Sequence, residues 1–177
     1  MIKKQLKNRG FTLVEILIVV ALIAILAVIA LITINPAEAN KRARDAQRLK
    51  EIGTIMGVIQ QYLDDNLATA TTAVTADSDN SSGSTNCDTS GWHGLALCAY
   101  ANQVPRDPMN RNGDYVLTDG TVTEGDITYQ INIDDAARYR ICTRLESKSN
   151  SGRLTADNVS NNYFEAYSST DAPACSN

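Results

Sequence analysis

The sequence predicts an α+β protein in which a long N-terminal helix, apolar in its first half and amphipathic in its second, packs on a small antiparallel sheet. Three observations carry this. From Phe11 to Ile34 the only non-apolar residues are Thr12, Glu15 and Thr33. Leu49, Ile52, Met56, Ile59 and Leu63 then recur at alternating spacings of 3 and 4, the period of one helix face. Farther on, Ile127–Ile133 and Tyr139–Glu146 alternate apolar and polar residues, as half-buried strands do. The expected organisation is a leader over 1–10, a hydrophobic helix over 11–35, an amphipathic helix over 36–66, a loop-rich connection over 67–113, and the sheet with the C-terminal region over 114–177.

The apolar run comes first. About 24 residues at about 1.5 Å rise give about 36 Å of helix, enough to cross a bilayer. Glu15 is out of place there, since a carboxylate inside an apolar span costs about 2.5 to 3.5 kcal/mol and is kept mainly where it has a partner. Two readings stand: Glu15 serves such a partner, or it lies near the membrane face and snorkels toward water. Met1–Gly10 carries Lys3, Lys4, Lys7 and Arg9 and no acid, which holds the N-terminus inside and sends the rest outward. A secretory signal peptide cut near Ala37-Glu38-Ala39 is the competing reading. The apolar region is too long for it and contains Glu15.

The order Gly10, Phe11-Thr12-Leu13-Val14-Glu15, apolar helix resembles the type IV prepilin family, in which a short basic leader ends in Gly, is cut before Phe, and is followed by Thr-Leu-x-Glu. The resemblance implies that a membrane prepilin peptidase cuts between Gly10 and Phe11 and that the new amino group of Phe11 is N-methylated. It also implies that Glu15 pairs with the N-terminal ammonium of a neighbouring copy. That role fits the physics, because a carboxylate moved from lipid into a protein core needs a counter-charge. A homo-polymer, an assembly ATPase and a platform protein are implied partners. The implied location is the cytoplasmic membrane for the precursor and an extracellular filament thereafter, and the implied fold is pilin-like.

Asn35-Pro36-Ala37-Glu38 reads as a helix start, with Asn35 as cap, Pro36 at the first helical position and Glu38 three residues after the cap. The long helix is therefore expected to kink or restart there. Along the stripe that follows, Arg44, Gln47, Arg48, Lys50 and Glu51 are expected to lie largely off the apolar face, and Gly53 and Gly57 weaken the helix while permitting close packing. Residues 68–91 are rich in Thr, Ser, Ala, Asn and Asp and read as a loop exposed to solvent. Asn80-Ser81-Ser82 and Asn158-Val159-Ser160 match the N-glycosylation pattern, which arises easily by chance in such stretches. A short helix over Gly94–Tyr100 and a run of turns through Val104–Pro108 and Asn110–Asp114 precede three strands: Tyr115–Thr118, Ile127–Ile133 and Tyr139–Glu146. These predict a meander whose apolar face, Ile127, Tyr129, Ile131, Ile133, Tyr139, Ile141, Thr143 and Leu145, covers the helix stripe.

Charge and cysteines bound the function. The net charge is −4, but losing the four leader cations takes the mature chain to about −8. Beyond Glu51, seven Lys and Arg face sixteen Asp and Glu. Such an acidic head argues against direct nucleic-acid binding. Asp107, Asn110, Asn112 and Asp114 invite a calcium reading, but the spacing does not fit the EF-hand pattern, and turn formation accounts for them. Cys87, Cys98, Cys142 and Cys175 all fall on the outer side of the predicted span, where disulfides form. Of three possible connectivities, Cys87–Cys98 and Cys142–Cys175 is preferred, because the first pair is close in sequence and the second pins the C-terminal tail to the last strand. The second loop also resembles the disulfide-bounded C-terminal region of many pilins. No zinc site is expected, since no two cysteines stand at the short spacing of zinc ligands and His93 is the sole histidine. There is no nucleophile elbow and no Gly-rich phosphate loop, and Trp92-His93 suits packing or display better than general-base work. No catalytic residue, cofactor or metal is expected. The leading expectation is a structural pilus subunit; the alternatives are a pseudopilin of a secretion or competence machine and, more distantly, a single-pass anchored binding domain.

Overall fold

The computed structural model of this chain describes residues 10–33, 35–66, 73–79, 83–155 and 162–175. The leader residues before Gly10 and both glycosylation triplets lie outside them. The chain divides into two units with the boundary after Ala39.

In the first unit, Thr12 opens helix α1 (Leu13–Thr33): its hydroxyl accepts the Glu15 backbone N–H at 3.2 Å, satisfying one of the orphan donors of the first turn. Every described residue of α1 is exposed, with side chains from Ala, Leu, Ile and Val on all sides. At the far end the Thr33 hydroxyl donates back to the carbonyls of Ile29 (3.2 Å) and Ala30 (2.9 Å). The restart expected at Asn35-Pro36 is present. Helix α2 (Pro36–Asn66) begins at the proline, and the Asn35 side-chain oxygen accepts the Glu38 N–H at 3.2 Å. Proline has no N–H to give to a preceding turn and disfavours helical backbone before it, so a new helix starts where the old one cannot continue.

The second unit, from Asn40, is a sheet backed by α2. Four antiparallel strands run in the order β1 (Val74–Asp77), β4 (Gln130–Ile133), β5 (Tyr139–Thr143), β6 (Phe164–Tyr167). A separate hairpin pairs β2 (Arg111–Val116) with β3 (Val122–Ile127). Ile52, Ile55, Ile59 and Leu63 of α2 share one core with Tyr129, Ile131, Ile133, Tyr139 and Ile141 and with Trp92, Leu95, Leu97 and Val104 from the connection. Two tyrosines tie sheet to helix by their hydroxyls, Tyr129 to Glu51 at 2.6 Å and Tyr139 to Gln60 at 3.0 Å. A smaller cluster joins Val116, Leu145 and Leu154. The α+β, pilin-like architecture read from the sequence is the one observed.

The details differ in five places. The buried face of α2 runs through Asp45, Arg48, Ile52, Ile55, Ile59 and Leu63, so Ile55 takes the place expected for Met56, which is 37% exposed, and Leu49 is only half-buried. The single strand expected over Ile127–Ile133 is two. The chain leaves the hairpin after Ile127, and Tyr129 is fixed to Ser78 (Ser78 N–H to Tyr129 carbonyl, 2.8 Å; Tyr129 N–H to Ser78 hydroxyl, 2.9 Å) before β4 starts. The meander is accordingly replaced by the hairpin and the four-stranded sheet. Part of the expected loop, Val74–Asp77, is strand β1, and Arg111–Asp114, expected as turn, belongs to β2. Gly94–Tyr100 forms turns rather than a helix, with Tyr100 and Ala101 N–H groups both on the Leu97 carbonyl.

Candidate processing and assembly site

Gly10, Phe11 and Thr12 are non-helical residues leading directly into α1. Phe11 is 78% exposed, and Gly10 has open space where a side chain would stand. A peptide bond in irregular, open backbone is what a protease can take into an extended binding cleft. Glu15 lies exposed in the first turn of α1, where the partial positive charge of the helix end favours an anion. Thr12-Leu13-Val14-Glu15 has the capping-box spacing, so part of this motif also starts the helix, a role the sequence reading missed although Thr-x-x-Glu signals it. The structure thus puts Gly10, Phe11 and Glu15 within one helix start.

Beyond it, α1 presents apolar surface on every side over 21 residues, about 31 Å of helix. A helix hydrophobic all round is stable only when covered by lipid or by protein.

The cysteines pair Cys87 with Cys98 and Cys142 with Cys175. The first closes a loop around Trp92 and His93, both buried. The second joins β5 to the C-terminal tail. Arg140 reinforces it by pairing with Glu165 and donating to the carbonyls of Thr170 (2.9 Å) and Ala172 (3.1 Å), while Asn132 donates to that of Ala174 (2.9 Å). Of the residues considered for calcium, Asp107 turns inward: its Oδ1 accepts the Met109 and Asn110 N–H groups, and both oxygens meet Arg48. Asn112 and Asp114 are exposed on β2, and Asp114 lies 3.6 Å from Lys41.

Arg48 is the centre of a buried charge cluster that the sequence reading placed off the buried face. Its Nε and Nη2 hold Asp107 in a two-pronged contact at 2.7 and 3.0 Å, and its Nη1 reaches Asp45 at 2.9 Å and Glu146 at 2.6 Å. Arg44 grips Glu146 from the other side, Nε to Oε1 at 2.8 Å. Asp45 also accepts the backbone N–H groups of Glu146 and Ser147, each at 2.9 Å, and the Asn150 amide at 2.7 Å. Burial alone would lower the Arg48 pKa, but the hydrogen bonds and charges of Asp107 and Glu146 more than offset it and raise it. Burial alone would raise the Glu146 carboxyl; the Arg44 hydrogen bond and the Arg48 charge hold it below the usual range. The cluster locks α2 to the turn before β2 and to the segment after β5. The signal for it is in the sequence: Asp45 and Arg48 continue the helical period of Ile52, Ile55 and Ile59.

A family model described as the prokaryotic N-terminal methylation motif matches residues 5–31. The matched span contains Gly10, Phe11, Glu15 and most of α1, and it supports a chain of the type IV pilin or pseudopilin kind, made as a prepilin. Neither the curated proteins nor the solved structures contain a match to the chain.

Proposed function

We propose that this chain is a structural subunit of a type IV pilus, made as a membrane-inserted precursor and polymerised after processing, and that it is not an enzyme. The observation that carries the reading is an all-round apolar α1, exposed over its whole length, beginning two residues after Phe11 and carrying one carboxylate, Glu15, in its first turn. Prepilin peptidase cuts between Gly10 and Phe11, and Phe11 is N-methylated. The precursor waits in the membrane with its N-terminus inside. The ATPase and platform proteins then move α1 from lipid into the core of a helical homo-polymer, and the Glu15 carboxylate meets the Phe11 ammonium of a neighbouring copy. That pairing answers the desolvation of both charges at once. The head, with its excess of acids, faces outward.

The test is the N-terminal residue of the mature protein, read by mass spectrometry in membrane and sheared-surface fractions. N-methylated Phe11 in the sheared fraction is the expected result. N-methylated Phe11 confined to the membrane fraction points instead to a short pseudopilus. Met1 retained in both overturns the proposal.

A further inference from the structure

The connection from Gly83 to Asp107 folds around His93, whose ring is fully buried. One face of the ring's hydrogen bonding is an acceptor and the other a donor: Nε2 sits 2.9 Å from the Asn86 carbonyl, and Nδ1 receives the Leu95 N–H at 3.0 Å. A carbonyl only accepts and a backbone N–H only donates, so the arrangement fits one species, the neutral imidazole with its proton on Nε2. A proton on Nδ1 sets two donors against each other at 3.0 Å and puts a charge on a buried ring. Asp88 on the same loop is the charged group acting on the ring among the described residues, and its carboxylate already accepts the Ser90 N–H at 2.9 Å and the Ser90 hydroxyl.

The surroundings leave little room to adapt. A Cβ at Gly91 would lie 2.1 Å from the Asn86 carbonyl oxygen and 2.6 Å from His93 Nε2. Trp92 stands edge-on to the imidazole at 5.8 Å between centroids and donates its Nε1–H to the Pro105 carbonyl at 3.1 Å, which ties the loop to its own exit. The Cys87–Cys98 bond closes the base, with Leu97 N–H on the Cys87 carbonyl at 2.7 Å.

We propose that this loop is an acid-opened latch: neutral His93 holds the Asn86–Leu95 segment shut, and protonation of Nδ1 releases that segment and Trp92 while Cys87–Cys98 keeps the two ends together. The device changes which surface the head displays, and it requires neither processing nor polymerisation. The direction of the pKa agrees, since burial lowers it, only partly offset by the Asn86 carbonyl and the Asp88 charge. A group with a depressed folded value holds its full contribution above the ordinary value and loses it as pH falls. The latch is therefore closed above about pH 6.5 and opens progressively below it.

The experiment uses the full chain in detergent. As His93 is the sole histidine and Trp92 the sole tryptophan, the ring titrates as one NMR resonance and the fluorescence reports one site. The expected results are a His93 titration below about 6.5, and exchange protection over residues 84–98, corrected for intrinsic rates, that falls by up to about 30-fold between pH 7.5 and 5.0. The Trp92 emission shifts in the same range, and the His93→Asn variant, whose side-chain oxygen replaces Nδ1 as acceptor for Leu95, loses this pH dependence. A ring titrating at or above the ordinary value, or a loop as protected at pH 5.0 as at 7.5, overturns the latch even if the variant does not fold.

Discussion

Replacing Arg48 by methionine keeps the aliphatic stem that fills the space beside α2 and removes only the guanidinium. Three buried carboxylates then face Arg44 alone. They do not suffer equally. Asp45 keeps three N–H donors, from Glu146, Ser147 and Asn150, and Glu146 keeps Arg44. Asp107 loses both of its guanidinium contacts and retains the Met109 and Asn110 N–H groups and a long 3.4 Å approach from the Thr143 hydroxyl. Removing one partner of a buried pair costs about 3 to 5 kcal/mol, because the remaining charge is left without compensation. With a urea slope of about 2 kcal/mol/M, Arg48→Met lowers the unfolding midpoint by about 2 M, read from Trp92 fluorescence of the full chain in detergent. Arg48→Lys restores charge without the two-pronged geometry and recovers part of the loss. Adding Asp107→Asn to Arg48→Met also recovers part, since the orphaned charge is gone. The deficit of Arg48→Met should narrow toward pH 4: Glu146, held below its ordinary value of 4.5, stabilises the wild type above that value and ceases to as it protonates. A midpoint shift under about 0.5 M, or a double variant worse than the single one by its full separate cost, would refute the reasoning.

Three further outcomes follow from the same structure. Glu15→Ala should leave cleavage at Gly10-Phe11 intact, with processed protein in the membrane fraction, while filaments in the sheared fraction fall below detection; undiminished filaments rule out the pairing role. Cys142→Ser should cost more stability than Cys87→Ser, about 3.7 against 2.8 kcal/mol by loop-closure entropy, because the bonds close sequence separations of 33 and 11 residues. Urea midpoints in the reverse order would contradict that account. Tyr129→Phe should destabilise by about 1.5 to 3 kcal/mol and Tyr139→Phe by less, about 0.5 to 1.5 kcal/mol, since the first donates to the Glu51 carboxylate and the second to the Gln60 amide.

What was legible in the sequence is what local chemistry decides. The apolar run, the Asn35-Pro36 restart and the alternation through Ile131–Ile133 and Tyr139–Ile141 each depend on neighbours within a few residues, and each appears in the structure. The strands that escaped notice, β1, β3 and β6, are four to six residues long and owe their conformation to partners far along the chain, such as Val74 opposite Ile133. Four residues of alternation carry too little signal to separate a strand from a polar loop. The motif at Gly10–Glu15 was legible for a different reason: a basic leader, Gly-Phe and a carboxylate inside an otherwise apolar run stand together in one short stretch, within the span that the methylation-motif model matches.

Arg48 shows where local reading fails and why. Its place on α2 is given by the 3–4 spacing of Asp45, Arg48, Ile52, Ile55, Ile59 and Leu63, yet a charged residue at the end of such a stripe reads as the point where the face meets solvent. Burial is decided instead by acids 59 and 98 positions away, Asp107 and Glu146, which no window along the helix contains. The choice between Ile55 and Met56 is settled by the same fact. The two differ by about 100° around the helix axis, and only the face through Ile55 also brings Arg48 to those acids. The charge cluster therefore sets the rotation of α2 against the sheet, and the apolar residues fill the face that rotation presents. An arginine buried without its acids is costly, and the face through Ile55 is the one on which Arg48 is buried with them.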